Sequence, residues 1–238
     1  MDVLLINGWS ASHLFWQSCF PSDVSVSIID LDRVQSRQDL YRLIDRQITA
    51  DTVLMGWSLG AALAVEYLSL RAPGCRALVT MAFNPRFVRA DNWEYGMPED
   101  DFSGFQERVR RGERFELVRR FGFLLTQGSS SARIDTQRLR RCYSPSTLPP
   151  DHVLDQGLRW LAELDLRMQI ARLELPSLHL YGESDALVTA RVADAMRESC
   201  STSARVDVVQ GMGHLPCGFF ARTILTRMTA YLSGVTLC

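Results

Sequence analysis

Thr52-Val53-Leu54-Met55-Gly56-Trp57-Ser58-Leu59-Gly60-Ala61-Ala62-Leu63 is the stretch that decides how this chain folds. Its first four residues are apolar or β-branched, as a strand covered on both faces requires. From Ser58 to Arg71 the apolar residues take helical spacing, so a strand runs directly into a helix. The junction, Gly56-Trp57-Ser58-Leu59-Gly60, is a G-x-S-x-G. Such a turn holds its serine in a strained backbone conformation, with glycines where a Cβ would strike neighbouring chain. It also sets Ser58 at a helix amino terminus, where the dipole favours negative charge on a reacting oxygen. Alone the motif is a weak signal that a glycine-rich turn into a packed helix would also produce. With a strand before and a helix after, it makes Ser58 a candidate nucleophile.

Outward from this turn, residues 3–6, 24–29, 77–81, 177–181 and 205–209 read as further buried strands. Residues 36–48, 188–200 and 219–232 carry helical spacing. The alternation predicts an α/β fold: a mainly parallel sheet of about six strands, flanked by helices through right-handed crossovers. It stops after Met81. Residues 102–111, 114–126, 132–142 and 151–164 read as helices with no strand among them, punctuated by Pro145, Pro149 and Pro150. Residues 91–168 are therefore expected to be a helical cap inserted after the fourth strand. The core would then be 1–90 and 169–238.

Bulk properties narrow the function classes. A 238-residue chain with 47% apolar residues suits one large α/β domain and argues against disorder. No apolar run approaches about 18 residues and the amino terminus lacks a basic leader, so no membrane span or export signal is expected. Cys19, Cys75, Cys142, Cys200, Cys217 and Cys238 form no C-x-x-C pair. Their scatter predicts reduced thiols in a cytoplasmic protein, with no metal site. All 26 basic residues are arginine, which excludes lysine Schiff-base and P-loop chemistry.

A serine hydroxyl needs a base to attack near neutral pH. Of His13, His152, His179 and His214, the last sits in Gln210-Gly211-Met212-Gly213-His214-Leu215-Pro216, just beyond the final strand. That loop can bring an imidazole over the carboxyl edge of a parallel sheet, where open α/β sheets place their sites. His179 alternates inside an apolar strand and reads as a hydrogen-bonded core residue. His152 opens a helix, and His13 lies in the loop after the first strand. The imidazole needs an acid in turn; Asp185, after strand 177–181, is the first choice and Glu183 in the same loop its rival. For the oxyanion, the candidate donors are the backbone N–H of Leu59 and, from the loop Asn7-Gly8-Trp9-Ser10, that of Trp9.

The order Ser58, Asp185, His214 is that of the α/β-hydrolases. Together with Gly8-Trp9, Gly56-Trp57-Ser58-Leu59-Gly60, Asp91-Asn92-Trp93, Phe105-Gln106, Arg120-Phe121, Asp165-Leu166-Arg167 and Asp185-Ala186-Leu187-Val188, the chain resembles a particular family. These are the bacterial pimeloyl-[acyl-carrier protein] methyl ester esterases of biotin synthesis, and the likeness covers almost the whole chain. It implies hydrolysis of a methyl ester at the far end of a pimeloyl chain on acyl carrier protein, without a cofactor. It implies that Trp9, Trp57, Leu59 and Phe121 contact the acyl chain and that Arg120 and Arg133 dock the carrier. Two further family arginines fall on Glu116 and Gln137, with Arg119 and Arg138 adjacent as substitutes. The family's His-Gly before the oxyanion tryptophan is here Asn7-Gly8.

Charge argues for an acidic partner independently of that resemblance. Residues 104–141 hold ten arginines and four acids, net +6, leaving −7 on the rest of a chain with formal charge −1. A basic cap on an acidic body suits an acidic macromolecule. A solvated face with internal Glu–Arg pairs would give the same composition. Nucleic acid is not expected, since the arginines lack interleaved aromatics. A monomer is expected. The alternatives left open are a hydrolase of free small esters or C–C bonds on the same scaffold, and a non-catalytic acyl-carrier or ligand-binding module.

Overall fold

In the computed structural model, residues 1–143 and 147–234 are described; Pro145 and Cys238, read above as a turn residue and a thiol, lie outside the described residues. The strands are β1 (Asp2–Ile6), β2 (Ser25–Ile29), β3 (Thr52–Trp57), β4 (Ala77–Met81), β5 (Ser177–Gly182) and β6 (Ala204–Val209). They form one sheet in the order β2-β1-β3-β4-β5-β6, every neighbouring pair parallel. β3, β4 and β5 are buried at every position, as their unbroken apolar runs predict. β2 and β6 differ from the reading of six buried strands. They are the sheet edges, and Ser25, Ser27 and Arg205 face solvent there.

The register aligns Ile6 with Gly56, Gly56 with Thr80 and Thr80 with His179. The carboxyl ends of β1, β3, β4 and β5 therefore lie side by side, and the loops leaving them share one edge of the sheet. Helix α1 (Arg37–Asp45) starts where the Ser36 hydroxyl accepts the Asp39 amide. Helix α2 (Leu59–Arg71) is buried on nearly all sides, and Ala61, Ala62 and Ala64 let it lie close to the sheet.

Between β4 and β5 the chain forms α3 (Glu99–Arg110), α4 (Arg114–Thr126), α5 (Ala132–Cys142), α6 (Asp151–Glu163) and α7 (Arg167–Ala171). The last, five residues long, is too short to leave a periodic signal in sequence. α8 (Arg191–Ser199) and α9 (Ala221–Ser233) complete the layers. No helix among the described residues is long and apolar enough to cross a membrane.

Asp165 fastens the two ends of this helical excursion. Its carboxylate accepts from Arg86 at 2.8 Å, where the chain leaves β4, and from Arg167 at 2.6 Å, where it returns. Arg167 also donates to the Asn92 side chain at 2.7 Å and lies over the Trp93 ring. The Arg167 hydrogen bonds, with those of Arg86, hold the Asp165 carboxyl down at about 2. A carboxylate with a depressed pKa stabilises the fold above its unfolded value, near 3.9, and loses that contribution as pH falls toward 2. Asp165→Asn is therefore expected to lower the melting temperature at pH 7 by about 2–4 °C. Thermal scans should show the gap from wild type closing between pH 4 and 2.

Candidate active site

Ser58 occupies φ 54, ψ −120, a conformation rarely tolerated by a residue with a Cβ. The turn that enforces it leaves no room at its glycines. A Cβ on Gly56 would meet the Ala61 backbone at 2.4 Å, and one on Gly60 would meet the Ile6 carbonyl oxygen at 2.2 Å. The Ser58 amide donates to the Met81 carbonyl at 2.9 Å, and its own carbonyl accepts from Ala61 and Ala62 in the first turn of α2. The hydroxyl is thus presented at the carboxyl edge of the sheet by fixed backbone.

His214, buried in the loop after β6, meets it there: its Nε2 lies 3.0 Å from Ser58 Oγ. Its Nδ1 lies 2.8 Å from Asp185 Oδ2, and the other carboxylate oxygen accepts the amides of Leu187 and Val188 at 2.8 and 2.9 Å. A carboxylate can only accept, so Nδ1 carries the proton and Nε2 turns its lone pair to the serine. The two backbone amides fix the plane of the carboxylate. The indole N–H of Trp57 donates to the His214 carbonyl at 2.9 Å, anchoring the loop from below.

The rival residues fall elsewhere. Glu183 accepts the Gly211 amide at 2.9 Å. His179 is a buried core residue bonded to Thr80 at 2.7 Å, and burial pushes its pKa down to about 4. His13 pairs with Asp30, and His152 is exposed on α6.

Leu59 is the first residue of α2, so its amide is one of the unpaired donors of a helix amino terminus. Trp9 follows β1 in the adjacent loop. Neither amide donates to an acceptor among the described residues. Trp9 is held by its indole N–H to the Leu154 carbonyl, and packs edge-on against Phe121 at 4.8 Å and Phe105 at 6.4 Å. Of the residues expected along the acyl chain, Trp9 and Phe121 come together, whereas Trp57 lies under His214 against Phe15 and Trp16. Phe105 joins this aromatic group, although its sequence neighbourhood does not mark it as a site residue. Ser58 opens onto a small cleft lined by Ala62, Ala82, Asn84, Phe87, Leu161 and Leu164, a set that local sequence does not foretell. Ala82, directly after β4 and at φ 51, carries the one usable signal, since it follows a strand end as the other site residues do.

On the outer side, a groove over α4 and α5 is lined by Arg108, Arg119, Arg120 and Arg140, with the exposed rings of Phe115 and Phe123. Arg133 lines an adjoining hollow that shares Phe123 and Arg140. Among the described residues Arg120, Arg133 and Arg140 have no carboxylate partner, while Arg119 pairs with Glu116, Arg108 with Glu113, and Arg110 and Arg111 with Glu107. Arg138, expected beside the docking arginines, is half-buried with its guanidinium turned to the backbone. It donates to the carbonyls of Phe15 and Gln17 at 2.7 Å each and ties α5 to the loop after β1.

A serine on a strand–helix elbow, aligned with a buried histidine and aspartate over a parallel sheet, defines a class. The chain belongs to the alpha/beta hydrolase fold family, whose model matches residues 34–220. Within it, the chain is 32% identical to the pimeloyl-[acyl-carrier protein] methyl ester esterase of Pectobacterium carotovorum, over 90% of this chain and 88% of that one. It is 31% identical to the enzyme of that name from Photobacterium profundum, with the same coverage, and so groups with that esterase family. Among solved structures, a bromoperoxidase from Bacillus anthracis superposes with a TM-score of 0.85 over 98% of this chain and 91% of that one. At 18% identity that likeness speaks to fold alone.

Loss of Ser58 or of Asp185 tests the arrangement directly. Ser58→Ala is expected to lower kcat for ester hydrolysis by about 10⁴-fold or more, and Asp185→Asn by on the order of 10³–10⁴-fold. Steady-state kinetics on a p-nitrophenyl ester, with folding verified by circular dichroism, measures both. A Ser58→Ala enzyme within tenfold of wild type would rule out the arrangement.

Proposed function

We propose that this chain is a serine carboxylesterase that removes the methyl ester from the end of a pimeloyl chain carried on acyl carrier protein, a step of biotin synthesis. The hydrogen-bonded line from Ser58 through His214 to Asp185 carries the reading of reaction type. The esterase relatives support the substrate.

Ser58 Oγ attacks the ester carbonyl carbon while His214 Nε2 takes the hydroxyl proton. The negative oxygen of the tetrahedral intermediate is received by the amides of Trp9 and Leu59, each such donor being worth about 2.7–4 kcal/mol in the transition state. Collapse breaks the C–O bond to the methoxy group, which leaves as methanol with the proton from His214. Water, losing a proton to His214, then attacks the acyl-enzyme carbonyl; as the acyl C–Oγ bond breaks, His214 returns that proton to Ser58 Oγ and the carboxylic acid is released. Asp185 stabilises the imidazolium in both halves without taking its proton.

The exposed arginines supply the carrier's side of the reaction. Arg120, Arg133 and Arg140, unpaired among the described residues and set beside Phe115 and Phe123, suit a partner that is acidic with an apolar contact. Arg119, already paired with Glu116, contributes less, and Arg138 acts inside the fold. The Arg120→Gln/Arg133→Gln double variant is expected to lose roughly tenfold in kcat/KM for the carrier-bound methyl ester at low salt, with the gap narrowing as sodium chloride is raised. On p-nitrophenyl acetate it should match wild type within about twofold. Equal effects on both substrates, or on neither, would contradict carrier docking at this groove.

A further inference from the structure

We infer that Asn7 is a positioning residue for the oxyanion site: its carboxamide holds the peptide that presents the Trp9 amide to the reacting oxygen. The inference rests on the reading of Ser58 and Trp9 above.

Asn7 is fully buried at the carboxyl end of β1, at the start of the loop that carries Trp9. Among the described residues its side chain is bonded to that loop and its supports alone. Oδ1 accepts the Gly8 amide at 3.2 Å and the Trp16 indole N–H at 3.0 Å. Nδ2 donates to Asp30 Oδ1 at 2.9 Å. Gly8 N and Trp16 Nε1 can only donate, and a carboxylate can only accept, so the amide has one orientation. Asp30, itself buried after β2, turns its second oxygen to His13 at 2.7 Å. One carboxamide therefore joins the end of β1, the end of β2 and the helical turn His13–Trp16.

The link to chemistry runs through a single peptide plane. Gly8 C=O and Trp9 N–H belong to the same rigid unit and point in opposite directions. The Gly8 carbonyl accepts the Ala11 amide at 3.2 Å, and the Gly8 amide is held by Asn7 Oδ1. With both ends of Gly8 fixed, the Trp9 N–H cannot swing without breaking a buried hydrogen bond. On the far side, a Cβ at Gly60 would meet the Asn7 carbonyl at 2.4 Å, so the nucleophile's turn bears directly on the same residue. A preorganised donor keeps its full effect in the transition state, and a loose one loses it.

The test compares Asp30→Ala, which keeps the Asn7 oxygen that accepts from Gly8 and Trp16 but removes the partner of its Nδ2, with Asn7→Ala, which loses all three bonds. Active enzyme is counted by fluorophosphonate titration. Then kcat and KM are measured on p-nitrophenyl acetate, and Ki for a trifluoromethyl ketone that forms a tetrahedral oxyanion on serine. Asn7→Ala is expected to lose about tenfold or more in kcat with KM within about threefold, and to bind the ketone weaker by the same factor. Asp30→Ala should fall between it and wild type in both quantities. Should Asn7→Ala fail to fold, a parallel loss of about threefold or more in kcat and ketone affinity for Asp30→Ala supports the same role. Titratable variants with kcat and Ki within about twofold of wild type would overturn the inference, leaving Asn7 a structural residue only. A wild-type chain that neither cleaves the ester nor binds the ketone would instead defeat the Ser58 reading, and the inference with it.

Discussion

Ser58 sits at φ 54 because β3 must become α2 within one residue while the chain on either side is packed against backbone. That single strained conformation orders much of what surrounds it. It requires glycine at 56 and 60, since a side chain at either would displace the Ala61 backbone or the end of β1. It sets the serine hydroxyl above the sheet edge and leaves the Leu59 amide, at the start of a buried helix, without an acceptor among the described residues. Such a conformation costs of order 1–3 kcal/mol, offset by the packing of β3 and α2 in the most buried part of the molecule.

The electrostatic partners are held as firmly. Asp185 is buried, yet neither of its carboxylate oxygens is left without a donor: two amides hold one and the His214 ring N–H the other. Burial strengthens each of these contacts and excludes competing water. Trp57 adds a fixed point for the His214 loop, and Asn7 fixes the loop carrying Trp9. The tryptophans at 16 and 57 touch each other, so the supports of the His214 loop and of the loop carrying Trp9 form one continuous packed layer beneath the site.

Much of this is legible in sequence because strand ends mark the site. Ser58, Asp185 and His214 each follow an apolar run, and in a parallel sheet the loops after such runs converge. The choice between Asp185 and Glu183 is less legible, since it depends on which carboxylate faces His214 and which meets Gly211. Trp57 and Arg138 show the same limit. One side chain turns beneath His214, and the other reaches carbonyls more than a hundred positions away, so neither direction is written in local spacing. The edge strands look buried in sequence because Ser25, Ser27 and Arg205 count little against several β-branched neighbours. The cleft residues Asn84, Phe87 and Leu161 come from two segments that only the folded chain brings together.

The helices between β4 and β5 bring aromatic rings against Trp9 and carry arginines with no carboxylate partner among the described residues, so in the proposed function one excursion would serve both ends of the substrate. All of it depends on Ser58 being the reacting atom's residue. Peptide mass mapping after treatment with a fluorophosphonate measures that most directly. The account predicts one adduct per chain, on the peptide containing Ser58, and its disappearance in His214→Ala. An adduct on a different residue, or a folded wild-type chain that takes no label, would contradict it.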